Sequence, residues 1–328
     1  MMAWTDRHCR HFHRLLAPGA LLYTEMIVAD ALLHGDADRL LRFDASEHPV
    51  ACQLGGSEPE KLADAARRVQ AAGYDEVNLN VGCPSDRVQS GRFGACLMRE
   101  PALVAECVAA MREAVDIPVT VKTRLGVDEL DSEDYLAGFI DIVAGAGCEV
   151  FILHARKAWL QGLSPKQNRE IPPLDYARAY RIRAAFPALT FVLNGGIRAP
   201  DAALEHLRHV DGVMVGREAY EHPWQLVAFQ DRLLGEGSGT SREEVLAAMV
   251  RYAARERDAG TRLWSIARHL LGLYAGEPGA RAYRRCLTEA CRDPAAPAET
   301  LLECAPRYQP PLSGSGRRPR SPGMLAST

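Results

Sequence analysis

The sequence predicts an α/β fold, a (β/α)8 TIM barrel of parallel strands followed by a C-terminal all-helical domain. Three observations carry this. Between residues 20 and 235, short β-branched or apolar runs alternate with longer helical patterns, the signature of a parallel sheet with covering helices. The runs end in polar or glycine-containing segments (Gln53-Leu54-Gly55-Gly56, Asn80-Val81-Gly82-Cys83, Lys122-Thr123-Arg124, His154-Ala155-Arg156, Asn194-Gly195-Gly196 and Gly216-Arg217), so functional groups collect at the carboxyl ends of the strands. The competing doubly wound sheet would need Gly-x-Gly-x-x-Gly after its first strand or a Gly-Lys-Ser/Thr phosphate loop, and neither is present.

In chain order, residues 4–16 read as a first helix with Thr5 or Asp6 as its cap. Strands are expected at residues 21–27, 49–54, 76–81, 118–123, 149–154, 190–194 and 212–215. A closed barrel needs one more, most simply placed before Met1, so the chain is expected to start late. Without that first strand, residues 21–27 and 212–215 form unpaired edges, and weak cofactor binding or poor folding is expected. Gly235-Glu236-Gly237-Ser238-Gly239-Thr240 reads as a hinge. Ser241 with Glu244 then forms a capping box, and Val245, Met249, Tyr252 and Ala253 follow at helical spacing. Further helices are expected at about 262–275 and 280–292. The expected division is a catalytic barrel over 1–234, a helical domain over 240–305 and a disordered tail over 306–328, rich in Pro, Ser, Gly and Arg.

The formal net charge of −3 excludes whole-molecule attraction to polyanions, so a nucleic-acid partner would need a local basic patch. The longest apolar stretch, about 136–153, is interrupted by Asp141 and Glu149 and falls short of the ~18 uncharged residues of a membrane span. Asp6, Arg7, His8, Arg10 and His11 leave no apolar segment for secretion, and the expected location is cytoplasmic. Nine cysteines without a C-x-x-C pair fit neither a disulfide framework nor a zinc ribbon, so most are expected reduced and buried. The run His8, Cys9, His11, His13 matches no usual zinc spacing and is interleaved with Arg7, Arg10 and Arg14, so no metal is expected.

The most informative segment is Asn78-Leu79-Asn80-Val81-Gly82-Cys83-Pro84-Ser85, which sets a thiol just past a strand in a tight turn. There Cys83 can donate a proton or, with a lowered pKa, act as a nucleophile. Lys122 ends an apolar strand, where a buried ammonium calls for an anionic or electron-rich partner. Gln53, His154 and Arg156 end neighbouring strands. Asn194-Gly195-Gly196 and Gly216-Arg217 follow the last two, where glycines let backbone N–H groups approach a phosphate and Arg217 adds charge. A phosphorylated cofactor follows, and flavin mononucleotide suits these groups better than a pyridoxal with Lys122 as its Schiff-base amine.

These residues resemble the tRNA-dihydrouridine synthases, flavin-dependent barrels with a helical tRNA-binding domain. The likeness runs from Met1 to about residue 304. It is carried by Met1-Met2-Ala3-Trp4-Thr5-Asp6, Tyr23-Thr24-Glu25-Met26, the Gln53 and Asn78–Arg87 segments, Phe93-Gly94-Ala95-Cys96-Leu97-Met98, Val121-Lys122-Thr123-Arg124, His154-Ala155-Arg156-Lys157-Ala158-Trp159 and Asn194-Gly195-Gly196-Ile197. The run from Leu163 to Asp175 is similar to the subfamily acting at positions 20 and 20a of the tRNA D-loop.

The resemblance implies that Cys83 protonates C5 of the target uracil after FMN, reduced by NADPH, delivers hydride to C6. Asn80 would contact the flipped nucleotide. Gln53, Lys122 and His154 would contact the flavin ring and ribityl chain, with the backbone of Met1 packed against the flavin. Asn194, Gly195, Gly196, Gly216 and Arg217 would cradle the phosphate. Lys166, Arg169, Arg281 and Arg284 would orient the tRNA. The helix Ala280-Arg281-Ala282-Tyr283-Arg284-Arg285 sets its arginines on one face, which Arg262 and Arg268 are expected to extend. The expected partner is tRNA, with no membrane and no DNA, and the expected state a monomer. Two other readings differ in outcome: an inactive tRNA-binding protein that has lost the first strand, and a barrel flavoenzyme reducing a free pyrimidine, which has no use for the arginine face.

Overall fold

A computed structural model describes residues 1–306 apart from 236 and 238. The expected tail beyond Pro306 and part of the expected hinge lie outside the described residues. Seven strands, β1 (Leu22–Val28), β2 (Val50–Gly55), β3 (Glu76–Val81), β4 (Val119–Arg124), β5 (Val150–His154), β6 (Thr190–Asn194) and β7 (Gly212–Met214), pair in parallel in strict chain order. The sheet curls into a barrel-like half-cylinder with β1 and β7 at its edges. Met1 lies against Gly216, the second residue past β7, and lines a cavity together with Thr24 to Val28 of β1.

Eight described helices reach two turns or more: α1 (Arg7–Leu16), α2 (Pro59–Ala71), α3 (Pro101–Ala114), α4 (Glu133–Gly145), α5 (Tyr176–Ala185), α6 (Gln225–Leu234), α7 (Arg242–Asp258) and α8 (Ala280–Ala290). Leu62, Ala65, Ala66 and Val69 of α2, with Val104, Cys107, Val108 and Met111 of α3, are buried in one cluster with Cys52, Leu54, Val77, Leu79 and Val81. These are the outward-facing positions of strands whose alternate residues face inward. Burying each such large side chain contributes about 1.5–3 kcal/mol.

A second cluster joins Phe12 and Leu16 of α1 to Leu246, Met249 and Tyr252 of α7, Leu263 and Ile266, Tyr283 and Leu287 of α8, and Leu301. The His-Cys run expected to hold no metal packs this contact. His8 Nδ1 lies 2.7 Å from the Tyr252 hydroxyl, and the His11 ring stacks on the same tyrosine at 3.9 Å. Burial, with Arg7 next, lowers His8 to about 4 and keeps it neutral near pH 7.

Asp6, one of the two expected caps, holds the start of α1, accepting from the His8 and Cys9 amides. Several expectations are corrected. The helix expected over 262–275 stops at Ala267; further on, Gly272 packs so close to Glu221 that a Cβ would meet its carbonyl at 2.6 Å. Arg268 does not extend a free basic patch: it pairs with Asp6 at 2.5 Å and donates to the Ala3 carbonyl. Cys286 and Cys304 form a disulfide, because α8 and the helix Thr300–Glu303 bring their Cα atoms to 5.5 Å. The other seven cysteines are free, and all but Cys83 and Cys96 are buried. The Ser241–Glu244 capping box is present.

Candidate active site

Cys83 stands two residues beyond β3, where the chain turns across the barrel mouth. The turn is held from three sides. Asn80 Oδ1 accepts from the amides of Gly82 (3.1 Å) and Cys83 (2.9 Å), a local asparagine turn. Ala95 N–H donates to the Cys83 carbonyl at 2.9 Å. Gly94 makes that approach possible: its φ is +74°, and a Cβ would sit 2.6 Å from the same carbonyl oxygen. Arg124 holds the third side, its Nε donating to the Gly82 carbonyl at 2.8 Å and its guanidinium to the carbonyls of Lys157 and Asn168. Cys83 is half-buried, with its sulfur 3.5 Å from Ser85 Oγ.

Beneath the turn, the interior face of the sheet is polar. Asn80 Nδ2 donates to Gln53 Oε1 (2.7 Å), Gln53 Nε2 to Asn78 Oδ1 (2.9 Å), and Asn78 Nδ2 to Thr120 Oγ1 (2.7 Å). Parallel register produces this: Gln53 lies opposite Asn78 across β2 and β3, and Asn78 and Asn80 lie opposite Thr120 and Lys122 across β3 and β4. Lys122 donates to Asn194 Oδ1 at 3.1 Å, and Asn194 Nδ2 donates to the Met214 carbonyl. The electron-rich partner expected for Lys122 is therefore an amide oxygen. Among the described residues neither Lys122 nor Arg124 pairs with a carboxylate. Burial, then Arg124, lowers the Lys122 ammonium to about 8, and burial lowers Arg124 to about 10. His154 is driven well below its ordinary value by burial and by Arg124 and Lys122, so its ring is neutral near pH 7.

Gly195 and Gly196 follow β6 with φ of +112° and +73°. A Cβ on Gly195 would meet His154 Cδ2 at 2.7 Å, and one on Gly196 would meet the Tyr176 hydroxyl at 2.6 Å. The turn therefore requires glycine on both sterics and backbone. Arg217 follows β7 and Gly216, pairs with Glu170 at 3.0 Å and donates to the Arg169 carbonyl. A cavity of about 870 Å³ opens beside Met1 and the Cys83 turn, lined by Arg10, Glu25, Ser85, Arg169 and Arg217 among others.

Nine of the ten residues expected in the catalytic and cofactor set lie near the carboxyl ends of strands or in the turns after them; the tenth, Met1, lies against Gly216 and lines the cavity beside β1. Asn80, assigned to the nucleotide, ends β3 beside Cys83. Lys166 and Arg169 are exposed in the loop after β5, and Arg281 and Arg284 are exposed on α8, away from the strand ends. Sequence reasoning passed over the roles of Arg124, Asn78, Thr120 and Glu76. A buried arginine closing an apolar strand could have flagged the first; the others read singly as ordinary strand residues.

A parallel β/α sheet with a thiol, uncompensated cations and a glycine turn at its carboxyl edge defines an enzyme of the barrel class. The family model described as dihydrouridine synthase (Dus) matches residues 1–309. The chain is 56% identical over 303 residues to a tRNA-dihydrouridine(20/20a) synthase of Vibrio cholerae, covering 92% of each. Proteins of the same name from Xanthomonas campestris and Shewanella oneidensis are 57% and 58% identical, over 94% and 88% of this chain and 91% and 86% of theirs. The chain belongs to the dihydrouridine synthase family, and is an oxidoreductase.

Proposed function

We propose that this protein reduces the C5–C6 double bond of uridines at positions 20 and 20a in the tRNA D-loop, with FMN as resident cofactor, NADPH as reductant and Cys83 as the acid. The observation that carries the reading is the Cys83 turn itself. A half-buried cysteine is held by Asn80, Gly94 and Arg124, two residues before Ser85, which lines the arginine-rich cavity shared by Met1, Arg169 and Arg217.

The residues fit FMN. The Gly195-Gly196 turn leaves no room for a side chain and offers backbone amides, and Gly216 and Arg217 follow the next strand, a cradle suited to a phosphate. Asn194 holds Lys122 in place. Lys122, lacking a carboxylate, would offer its ammonium to the ring, with Gln53, His154 and the backbone of Met1 completing the contact. Bound FMN, with NADPH as reductant, would supply hydride chemistry at C6.

The chain's own groups do the rest. Cys83 Sγ gives its proton to C5 on the face opposite the hydride, as reduction of an extruded uracil requires. Asn80 holds the turn and contacts the base. The Lys122 ammonium stabilises negative charge at the ring, and neutral His154 hydrogen-bonds without adding charge. Residues 1–234 form the catalytic unit and residues 240–305 the tRNA-binding unit, with Lys166, Arg169, Arg281 and Arg284 on phosphates.

The test uses the purified protein with tRNA from a strain lacking dihydrouridine, reading product by mass spectrometry. Yellow protein that forms dihydrouridine is expected, and Cys83→Ala should keep the flavin but lose about 10²-fold or more in turnover. Colourless protein that binds tRNA without product would favour an inactive binder, and undiminished Cys83→Ala turnover would remove Cys83 from its role.

A further inference from the structure

We infer that Glu76 is a positioning residue for Cys83, acting through a one-way hydrogen-bond chain that crosses the barrel interior and sets the orientation of Asn80. The inference rests on the proposed role of Cys83.

Glu76 opens β3 at the end of the strand away from Cys83. With Asn78 and Asn80 it makes an i, i+2, i+4 series on the inward face, while Val77, Leu79 and Val81 are fully buried on the other. Its Oε1 accepts from the Tyr23 hydroxyl of β1 and the Thr120 hydroxyl of β4, each at 2.6 Å. No cation pairs with it among the described residues, and burial raises its carboxyl above the ordinary value while the two hydroxyls oppose that.

The chain has one sense. An ionised carboxylate only accepts, so Thr120 commits its single proton to Glu76. Thr120 Oγ1 must then accept from Asn78, which turns Asn78 Nδ2 toward it and Oδ1 toward Gln53. Gln53 follows with Nε2 on Asn78 and Oε1 on Asn80, and Asn80 with Nδ2 on Gln53 and Oδ1 on the two turn amides. From the far end, the Gly82 and Cys83 amides demand an acceptor, the same sense. No amide in the series can invert without breaking bonds on both its sides, and bonds aligned head to tail polarise one another.

Removing the acceptor at Glu76 frees the Thr120 proton. The turn amides are then the one remaining constraint on the sense of the chain, and the state in which Asn78, Gln53 and Asn80 are inverted together, with the Asn80 NH2 facing two N–H donors and the Cys83 turn displaced, gains population. A displacement near 1 Å at a reacting group costs on the order of 10²-fold in rate.

The test is Thr120→Val, which cuts the chain at one nearly isosteric link, beside Thr120→Ser, Glu76→Met, which removes the acceptor of both hydroxyls, and the Glu76→Met/Thr120→Val pair. Thr120→Val is expected to lower kcat about 10- to 100-fold with KM for tRNA within about twofold. Thr120→Ser should restore kcat to within about threefold, and the double variant should be no slower than the slower single, as for members of one network. Wild-type kcat in Thr120→Val, or fully additive losses in the double variant, would overturn the inference. Should Thr120→Val fail to fold, Glu76→Met, which has no acceptor for the Thr120 proton, carries the same kcat-against-KM comparison. If the wild-type enzyme forms no dihydrouridine, the functional reading fails separately. The inference then stands or falls on the iodoacetamide alkylation rate of Cys83, which should differ several-fold between wild type and the chain-breaking variants.

Discussion

Lys122→Met should leave the flavin-free enzyme at least as stable as wild type near neutral pH while weakening flavin binding. The fall of the ammonium from 10.5 to about 8, caused by burial and then Arg124, corresponds to a penalty of up to about 3 kcal/mol on the folded state. The folded value is depressed, so the penalty is complete below pH 8, where folded and unfolded chains are both protonated. It is relieved as pH rises from about 8 to 10.5, where the unfolded chain still binds the proton. Methionine removes the penalty but leaves Asn194 Oδ1 without its donor, which costs about 1–3 kcal/mol. The net is between zero and about 2 kcal/mol in favour of the variant. Urea unfolding of flavin-free protein at pH 7 and pH 9.5 measures this. Wild type should gain stability from this group between the two pH values, and Lys122→Met should lose that gain. A variant less stable than wild type by more than about 1 kcal/mol at pH 7 would refute the reasoning, because Lys122 would then support the empty fold rather than await an anionic partner.

Gly195→Ala should weaken FMN binding at least tenfold, because its Cβ would meet His154 Cδ2 at 2.7 Å and its φ of +112° adds strain of about 1–3 kcal/mol; a flavin titration with unchanged affinity would contradict the cradle. Replacing Arg281 and Arg284 together by alanine should weaken tRNA binding and flatten its dependence on salt by about one to two ion equivalents on a log–log plot, as lost phosphate contacts do. An unchanged salt slope would take α8 out of the tRNA contact.

The strands were legible because each is a local signal. Residues 76–81 and 190–194 are strands over the ranges expected, and the other five differ by a residue or two at their ends. Their pattern reports alternation and burial, which a few consecutive residues decide. The placement of Cys83, Lys122, His154 and the glycine turn was legible for a related reason: in a parallel β/α sheet a residue's position along its strand already says which end of the molecule it occupies. The failures concern partners. Arg268 reads as a surface cation, yet Asp6, far away in sequence, claims it. Cys286 and Cys304 carry no spacing signature, and only the packing of two helices brings them within bonding distance. Glu76 and Thr120 look like unremarked strand residues until three strands stand side by side.

By itself, then, the order of residues determined the parallel β/α architecture, the edge of the sheet at which its candidate site groups stand, and the position of Cys83 just past β3, since all three follow from short-range periodicity. Tertiary structure alone decided which polar groups satisfy one another. The Asn78–Thr120 bond joins residues 42 apart, and its partner was chosen by strand register, a property of neighbouring strands and of no single segment. Buried donors and acceptors must find partners wherever folding puts them, and that requirement is what turns separate strand ends into one site.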